Sequence, residues 1–220
     1  MSTWAQAGPV ALDILRPYAG DPLPDTLARH SGLVVLGGGM GAYDSARFPW
    51  LGPTQRLIAD AVLHDLPFLG ICLGHQLAAV ALGGAVGLRP TGPAAGVVAM
   101  TATAALPDDP LFGGLSTGTH TVAWNHDVVS QLPTGATVLA TDPDGFAHLV
   151  RFAPRAWGMQ FHPEVTPEIV ETWANTKPLA PRATDEAPVA QLVAQVRREL
   201  PAIQERWREP LESFFALTAT

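Results

Sequence analysis

The chain has 220 residues, of which 47% are hydrophobic, enough to bury the core of one compact domain. Its 21 glycines and 21 prolines stay below the share of roughly 25–30% at which composition indicates low complexity, so collagen-like and disordered chains are excluded. The net charge is −7, Lys177 is the only lysine and the arginines are scattered, so a protein that binds the nucleic-acid backbone is not expected.

The early part of the chain alternates between predicted strands and helices. Short apolar runs predict strands over 10–15, 32–36 and 67–71. Apolar residues at helical spacing predict an amphipathic helix over 53–64, and the apolar stretch 76–82 predicts a buried helix. The third strand therefore leads directly into the second helix.

After two consecutive glycines at positions 83 and 84, short strand-like segments dominate, separated by Pro, Gly and Asp turns. These segments are 97–101, 121–124, 137–140, 148–152 and 157–161. The early alternation predicts an α/β fold with an open, mainly parallel sheet and helices on both faces. The later segments predict antiparallel strands added at the edge of that sheet.

From Pro167 onward the pattern is helical again, with an apolar stripe that Pro201 and Pro210 interrupt. Such a stripe either covers the core or forms a face for a partner, and we favour core packing because a docked helix needs a stripe of this width. The segment 176–188, rich in proline, alanine and charge, is the predicted linker. We thus expect one domain over 1–166 and a helical extension packed on it over 167–220.

Cys72, the only cysteine, stands in the pattern Gly-Ile-Cys-Leu-Gly, where the strand 67–71 ends and a helix begins. Glycines two residues before and after a nucleophile permit the tight, strained turn of a nucleophile elbow. The start of a helix also favours the thiolate form of a cysteine. A lone cysteine is most often an inert buried side chain, but this glycine frame favours a nucleophile.

A nucleophilic cysteine needs a base, and His162, in the segment Gln-Phe-His-Pro-Glu, is the candidate. In an extended chain His162 and Glu164 project to the same side, with Pro163 stiffening the backbone between them, so the carboxylate can hold the imidazole. Alone, this segment would be a turn with a solvated acid. The other histidines are interpreted as ordinary surface or core residues: His30, His64, His75, His120, His126 and His148.

The loop 37–41, Gly-Gly-Gly-Met-Gly, follows the predicted strand 32–36 and offers backbone amides that no side chain obstructs. Together with the amide of Leu73, it can stabilise a developing oxyanion. A simple tight turn or a phosphate cradle are the alternatives. The loop lacks the Lys-Ser/Thr pair of a P-loop, which argues against nucleotide binding by that route.

These three segments, 33–40, 68–76 and 159–164, resemble class I glutamine amidotransferases of the free-standing kind, similar to the amidotransferase domain of GMP synthase. They occur in the family's order, and the resemblance covers about 10–167. It implies a flavodoxin-like amidotransferase fold.

The resemblance also implies the chemistry. Cys72 would attack the side-chain amide of L-glutamine, His162 would pass a proton to the leaving ammonia and later activate water, and Glu164 would orient His162. The γ-glutamyl thioester would then be hydrolysed to glutamate. The backbone amides of Gly38 and Leu73 match the family's oxyanion donors, and no cofactor or metal is implied.

Gln76 matches a family residue that helps to hold glutamine, and Asn125 and His126 match a second substrate-binding segment. For Asn125 and His126, ordinary turn chemistry between strands is the alternative. The sequence departs from the family at Gly39, where a proline is usual, so the loop is less restricted. The family's first strand and helix are expected to be missing or shortened before 10–15, and we favour a shortened chain over a sheet that lacks a strand.

The leading functional hypothesis is a cytoplasmic glutaminase that delivers ammonia to an acceptor on a separate synthetase or acceptor-binding subunit. One alternative keeps the triad but hydrolyses γ-glutamyl peptides or amides. Another is a catalytically silent regulatory subunit. The single cysteine fits a reducing compartment, residues 1–8 lack the regions of a secretion signal, and no run of about 18 apolar residues predicts a membrane segment.

Overall fold

A computed structural model of the protein describes residues 10–176 and 189–219. Within these residues the first strands and helices are β1 (Leu33–Val35), α1 (Leu51–Leu63), β2 (Phe68–Ile71), α2 (Leu73–Ala81), β3 (Ala85–Leu88), β4 (Ala94–Ala99) and β5 (Thr101–Ala102). They are followed by β6 (His120–Asn125), β7 (Asp127–Gln131), β8 (Thr137–Thr141), β9 (Ala147–Ala153), β10 (Ala156–Met159), α3 (Pro167–Thr176) and α4 (Val189–Leu217).

The main sheet of the described chain has the strand order β1-β2-β10-β9-β8-β5. β1, β2 and β10 run parallel to one another, whereas β9, β8 and β5 are added antiparallel beyond β10. Two further antiparallel pairs, β3 with β7 and β4 with β6, lie outside this sheet. The predicted α/β fold, with a parallel core and antiparallel additions at its edge, is confirmed.

Strand β2, the middle one of the three parallel strands, is buried along its whole length, so its alternating side chains enter two separate cores. Phe68 belongs to the cluster formed with α1 and α2, which includes Ile58 and Leu77. Leu69 and Ile71 belong to the cluster formed with α4. A strand covered on both faces needs a continuous apolar run, and the run 67–71 provides it.

The C-terminal helix α4 covers the second core and packs against β4 and β6. Its buried side chains are Val193, Val196, Leu200, Ile203, Trp207, Leu211, Phe214 and Phe215. The indole N–H of Trp207 also donates to the carbonyl of His120 at 3.1 Å. The stripe therefore packs on the core. The division into domain 1–166 and extension 167–220 stays a prediction, and 177–188 of the expected linker lies outside the described residues.

Several predicted elements differ from the structure. The predicted strand over 10–15 is wrong, because this segment pairs with no strand of the described chain. Leu12 and Ile14 are 42% and 54% exposed, although Val10 packs against the core cluster that α4 covers.

Strands β3 and β7 were not predicted, because β3 is a four-residue run with a glycine in it and β7 has only two apolar residues, Val128 and Val129. Pro201 and Pro210 do not break α4, since packing of its buried face outweighs the lost backbone hydrogen bonds. No helix within the described ranges is long and apolar enough to cross a bilayer.

Two histidines, His75 on α2 and His148 on β9, are buried at 0% and 2% exposure. Burial is the main cause that lowers the pKa of each histidine to about 3. The charge of His148 lowers the pKa of His75 further, and the charge of Arg89 lowers that of His148. The Nε2 atom of His148 lies 2.9 Å from the hydroxyl of Thr121. Both imidazoles are therefore neutral in the folded protein at neutral pH.

We expect the free energy of unfolding to fall as the pH drops from 6.5 toward 3. In this window the unfolded chain protonates both histidines whereas the folded chain does not, and at pH 5 each accounts for about 2 kcal/mol. Replacing His148→Gln should remove about half of this loss, measured by urea unfolding at pH 7 and pH 5. His64→Gln, at a 62% exposed side chain, is the control. An unchanged pH dependence in His148→Gln would contradict the assignment.

Candidate active site

Cys72 sits at the junction of β2 and α2 in a backbone conformation that side chains rarely adopt, with φ 50° and ψ −102°. It is one of two non-glycine residues with positive φ in the part of the chain that the structure describes. The neighbouring glycines are required by space. A Cβ on Gly70 would lie 2.6 Å from the carbonyl of Gly74, and a Cβ on Gly74 would lie 2.1 Å from the carbonyl oxygen of Val35. Strain of this kind persists only where the surrounding structure enforces it, and it marks functional sites.

Three segments meet at the carboxyl edge of the parallel strands, because parallel strands end on the same side of a sheet. The loop 37–41 follows β1, Cys72 follows β2, and the segment 162–164 follows β10. The backbone N–H of Cys72 donates to the carbonyl of Met159 at 2.8 Å, which fixes the elbow to the end of β10. The topology thus brings together three motifs whose residues are up to 127 positions apart in the sequence, from 37 to 164.

The imidazole of His162 lies between a carboxylate and the thiol. Its Nδ1–H donates to Oε1 of Glu164 at 2.8 Å, and the two side chains are 4% and 14% exposed. Burial lowers the pKa of His162, but the charges of Glu164 and Cys72 and hydrogen bonds to both outweigh it and raise the pKa to about 10. The environment therefore favours the imidazolium form beside Cys72.

The glycine loop 37–41 lies against this pair. A Cβ on Gly37 would lie 2.8 Å from Cε1 of His162 and 3.5 Å from Cβ of Cys72, and one on Gly38 would lie 2.8 Å from Cδ2 of Leu73. The far end of the loop is closed by Asp44, whose carboxylate accepts the N–H of Gly41 at 2.8 Å. The loop and Leu73, the two predicted sources of oxyanion donors, are thus neighbours.

The predicted substrate-binding residues lie on α2 and at the turn between β6 and β7. The carboxamide of Gln76 is buried and donates to the carbonyl of Asp127 at 3.0 Å and to Oε1 of Gln160 at 3.1 Å. The carboxamide of Asn125 donates to the same carbonyl of Asp127 at 3.0 Å. His126 is exposed at the turn. Gln76 and Asn125 therefore hold the turn that presents His126.

Three residues near the site were missed by the sequence analysis. The carbonyl oxygen of Trp124 lies 4.0 Å from Sγ of Cys72, and the ring of Trp173 on α3 lies 4.8 Å from the ring of His162. Gln160 accepts from Gln76. Tryptophans at helical or strand spacing are ordinary core residues, so only the packing of α3 and β6 reveals these two as neighbours of the catalytic candidates.

The mixed sheet with a parallel core, and a cysteine at a strained elbow beside a His–Glu pair, define an α/β protein with a candidate site for nucleophilic catalysis. The model of the family "Glutamine amidotransferase class-I" matches residues 17–172, which is more than half of the chain. The protein belongs to the class I glutamine amidotransferase family, and the resemblance seen in the sequence is confirmed.

Two relatives show the range of the similarity. One subunit of the glutamine-hydrolysing GMP synthase from Halobacterium salinarum is 38% identical over 118 residues, which cover 52% of this chain and 63% of the relative. The glutamine-hydrolysing GMP synthase from Aeropyrum pernix is 33% identical over 189 residues, which cover 82% of this chain and 34% of the relative. The chain thus matches less than two thirds of the length of these relatives.

Solved structures support the same fold. A glutamine amidotransferase from Thermotoga maritima superimposes with a TM-score of 0.78 at 27% identity, covering 92% of this chain and 86% of that one. A glutamine amidotransferase from Methylobacillus flagellatus gives a TM-score of 0.82 at 26% identity, covering 99% and 87%. The mixed sheet with a parallel core and flanking helices is therefore the fold of this family.

We expect the imidazole of His162 to stay protonated above pH 8, where an ordinary histidine is neutral, because its pKa is raised to about 10. Replacing Glu164→Gln removes the carboxylate charge and should move the titration of His162 to lower pH. NMR titrations of the histidine signals measure the pKa of His162 in the unmodified protein and in Glu164→Gln. The His162 signals are assigned by their absence from the spectrum of His162→Gln. Replacing the surface carboxylate in Glu209→Gln is the control. A His162 that titrates at the same pH in Glu164→Gln and the unmodified protein would contradict the role of the carboxylate.

Proposed function

We propose that the protein hydrolyses L-glutamine to glutamate and ammonia, with Cys72 as nucleophile, His162 as general acid and base, and Glu164 as the residue that orients His162. The observation that carries the proposal is the thiol of Cys72 on a strained elbow beside an imidazole that a carboxylate holds at 2.8 Å. Membership of the class I glutamine amidotransferase family supports it.

In the first half of the reaction, the sulfur of Cys72 forms a bond to the side-chain amide carbon of glutamine. The imidazolium of His162 gives its proton to the amide nitrogen, and the carbon–nitrogen bond breaks to release ammonia. A γ-glutamyl thioester remains on Cys72. In the second half, His162 takes a proton from water, whose oxygen attacks the thioester. The carbon–sulfur bond breaks, the sulfur leaves as a thiolate beside the imidazolium of His162, and the new carboxylic acid gives its proton to solvent and departs as glutamate. Atoms and charge balance without a cofactor.

The tetrahedral intermediates carry a negative oxygen that needs hydrogen-bond donors. We assign this role to the backbone amides of Gly38 and Leu73, which lie on neighbouring segments beside Cys72. Glycine at positions 37 and 38 keeps the loop within contact distance of His162 and Leu73, where a Cβ would intrude. Glycine thus lets the loop lie close to His162 and Leu73 while no side chain covers its backbone amides.

For substrate recognition, we propose that Gln76, Asn125 and His126 surround the amino-acid end of glutamine. The N–H groups of Gln76 and Asn125 already donate to the carbonyl of Asp127. Contact with a substrate ammonium group would therefore use their carboxamide oxygens. The exposed imidazole of His126 is placed at the same turn and would meet the α-carboxylate.

The ammonia acceptor is proposed to lie on another subunit. The relatives from Halobacterium salinarum and Methanothermobacter thermautotrophicus are each named as a subunit of a glutamine-hydrolysing GMP synthase. Such a name indicates that the enzyme has at least one other subunit. We propose that this protein likewise serves a separate synthetase or acceptor-binding subunit, and that it acts in the reducing cytoplasm, where its single thiol stays available.

Replacing Cys72→Ala should lower ammonia release from glutamine at least about 1,000-fold, because the thioester needs the sulfur of this residue. Release is measured with a coupled glutamate dehydrogenase assay, and Gly114→Ala, at a position with open space around it, is the control. Equal ammonia release from Cys72→Ala and the unmodified protein would refute the mechanism.

Two further measurements separate the alternatives. A wide preference for γ-glutamyl dipeptides over glutamine would make the protein a γ-glutamyl hydrolase with the same triad. A glutamine-mimicking electrophile such as 6-diazo-5-oxonorleucine should add one label at Cys72, detected by mass spectrometry. An unlabelled Cys72 would instead indicate a catalytically silent subunit.

Replacing Gly37→Ala should lower kcat about 100-fold while the protein stays folded. The added Cβ would meet Cε1 of His162 at 2.8 Å and displace the ring or the loop, and a shift near 1 Å at a catalytic group has an effect of this size. Steady-state kinetics with glutamine measure the change, again with Gly114→Ala as the matched control. Full activity in Gly37→Ala would show that the loop does not lie against the reacting groups.

A further inference from the structure

The aromatic contact between α3 and the candidate base is not explained by the triad. The ring of Trp173 lies 4.8 Å from the ring of His162, with an angle of 62° between the two planes. Trp173 is part of the C-terminal helical segment, outside the three motifs that form the triad and the oxyanion loop. It is half-buried and packs on the core cluster that α4 covers.

Trp173 is one of several residues that contact the ring of His162. Glu164 holds Nδ1, Cys72 is the other group whose charge acts on the ring, and Gly37 lies at the Cε1 edge. A hydrogen bond to Nδ1 fixes one atom of the ring but does not by itself fix its tilt. The indole of Trp173, whose ring lies 4.8 Å from the imidazole, adds a packing contact that restricts this tilt.

The contact also suits the charge of the base. An indole attracts a cation that lies over its face within about 6 Å, and the attraction is larger where water is excluded. In the T-shaped arrangement of the two rings, at 62°, the edge of one ring points at the face of the other. The side chain of His162 is 4% exposed. The charged groups that act on His162 are Glu164 on its own turn and Cys72 at the start of α2. The acids of α3 near Trp173, Glu168 and Glu171, are on the surface, where Glu171 pairs with Arg197.

Trp173 is itself held in place by a second aromatic ring. Trp124 on β6 lies 5.8 Å from Trp173, centroid to centroid. The carbonyl oxygen of this same residue lies 4.0 Å from Sγ of Cys72. The pair Trp124–Trp173 thus borders both the nucleophile and the base, and it joins β6 to the C-terminal segment.

We propose that Trp173 is a positioning residue for His162, which sets the tilt of the imidazole toward Cys72 and stabilises its protonated form. This inference rests on the proposed function for its catalytic consequence. With this role for Trp173, helix α3 would contribute to the active site as well as packing on the core.

The test compares three substitutions on α3. Trp173→Leu removes the indole, Trp173→Phe keeps a smaller ring, and Ile169→Ala shortens a 39% exposed side chain one turn earlier on the same helix. We expect Trp173→Leu to lower kcat for glutamine about tenfold with KM changed less than about twofold. The titration of His162, followed by NMR, should move about 0.5 to 1 pH unit lower.

Trp173→Phe should give a smaller change in the same direction in both measurements, and Ile169→Ala should match the unmodified protein. If Trp173→Leu leaves kcat and the His162 titration as in Ile169→Ala, the inference is wrong. Should Trp173→Leu fail to fold by circular dichroism, the same comparison is made between Trp173→Phe and Ile169→Ala, with the same criterion.

The titration of His162 can be measured without catalytic turnover. The proposed hydrolysis of glutamine and the positioning role of Trp173 can therefore be refuted independently of each other. A protein that does not hydrolyse glutamine, but whose His162 titration shifts in Trp173→Leu, would refute the proposed function and support the positioning role. A protein that hydrolyses glutamine with an unaltered His162 in both Trp173 variants would support the function and overturn the positioning role.

Discussion

The structure depends on the backbone of Cys72, which is held at positive φ between the buried strand β2 and the helix α2. The free energy that this conformation costs, on the order of 1–3 kcal/mol, must come from the surrounding packing. That packing is close: Gly74 touches the carbonyl of Val35, and Gly70 touches Gly74. The strand and the helix could not approach in this way with larger side chains. The position of Cys72 at this junction, where it is 7% exposed, is therefore a consequence of how tightly the core is assembled around it.

The second constraint is the burial of charge beside that thiol. An imidazolium with 4% exposure is unfavourable unless opposite charge compensates for it, and the carboxylate of Glu164 does so at 2.8 Å. The same burial has the opposite result at His75 and His148, where it lowers the pKa to about 3 and no carboxylate of the described chain offsets it. At neutral pH, His162 is therefore charged whereas His75 and His148 are neutral. The difference comes from the carboxylate of Glu164, which contacts the ring of His162.

Much of the fold was predictable because its elements have strong local patterns. The apolar run 67–71, the helical spacing over 53–64 and the turn residues between later strands all correspond to elements of the structure. The strand over 10–15 was predicted wrongly because an apolar run does not form a strand without a neighbour to pair with. β3 and β7 were missed for the converse reason, since they stabilise each other by pairing although neither has a strong pattern.

By itself, the sequence determined which residues are candidates for the chemistry: a cysteine framed by glycines, a histidine two residues before a glutamate, and a loop of bare amides. Those features are local, because φ preferences and side-chain direction depend on a few neighbouring residues. Only the tertiary structure decided that the three segments meet, since strand order and parallel pairing place their ends at one edge. It alone also decided that Trp173 reaches His162 and that Gln76 and Asn125 share the carbonyl of Asp127, because such contacts depend on how separate elements pack.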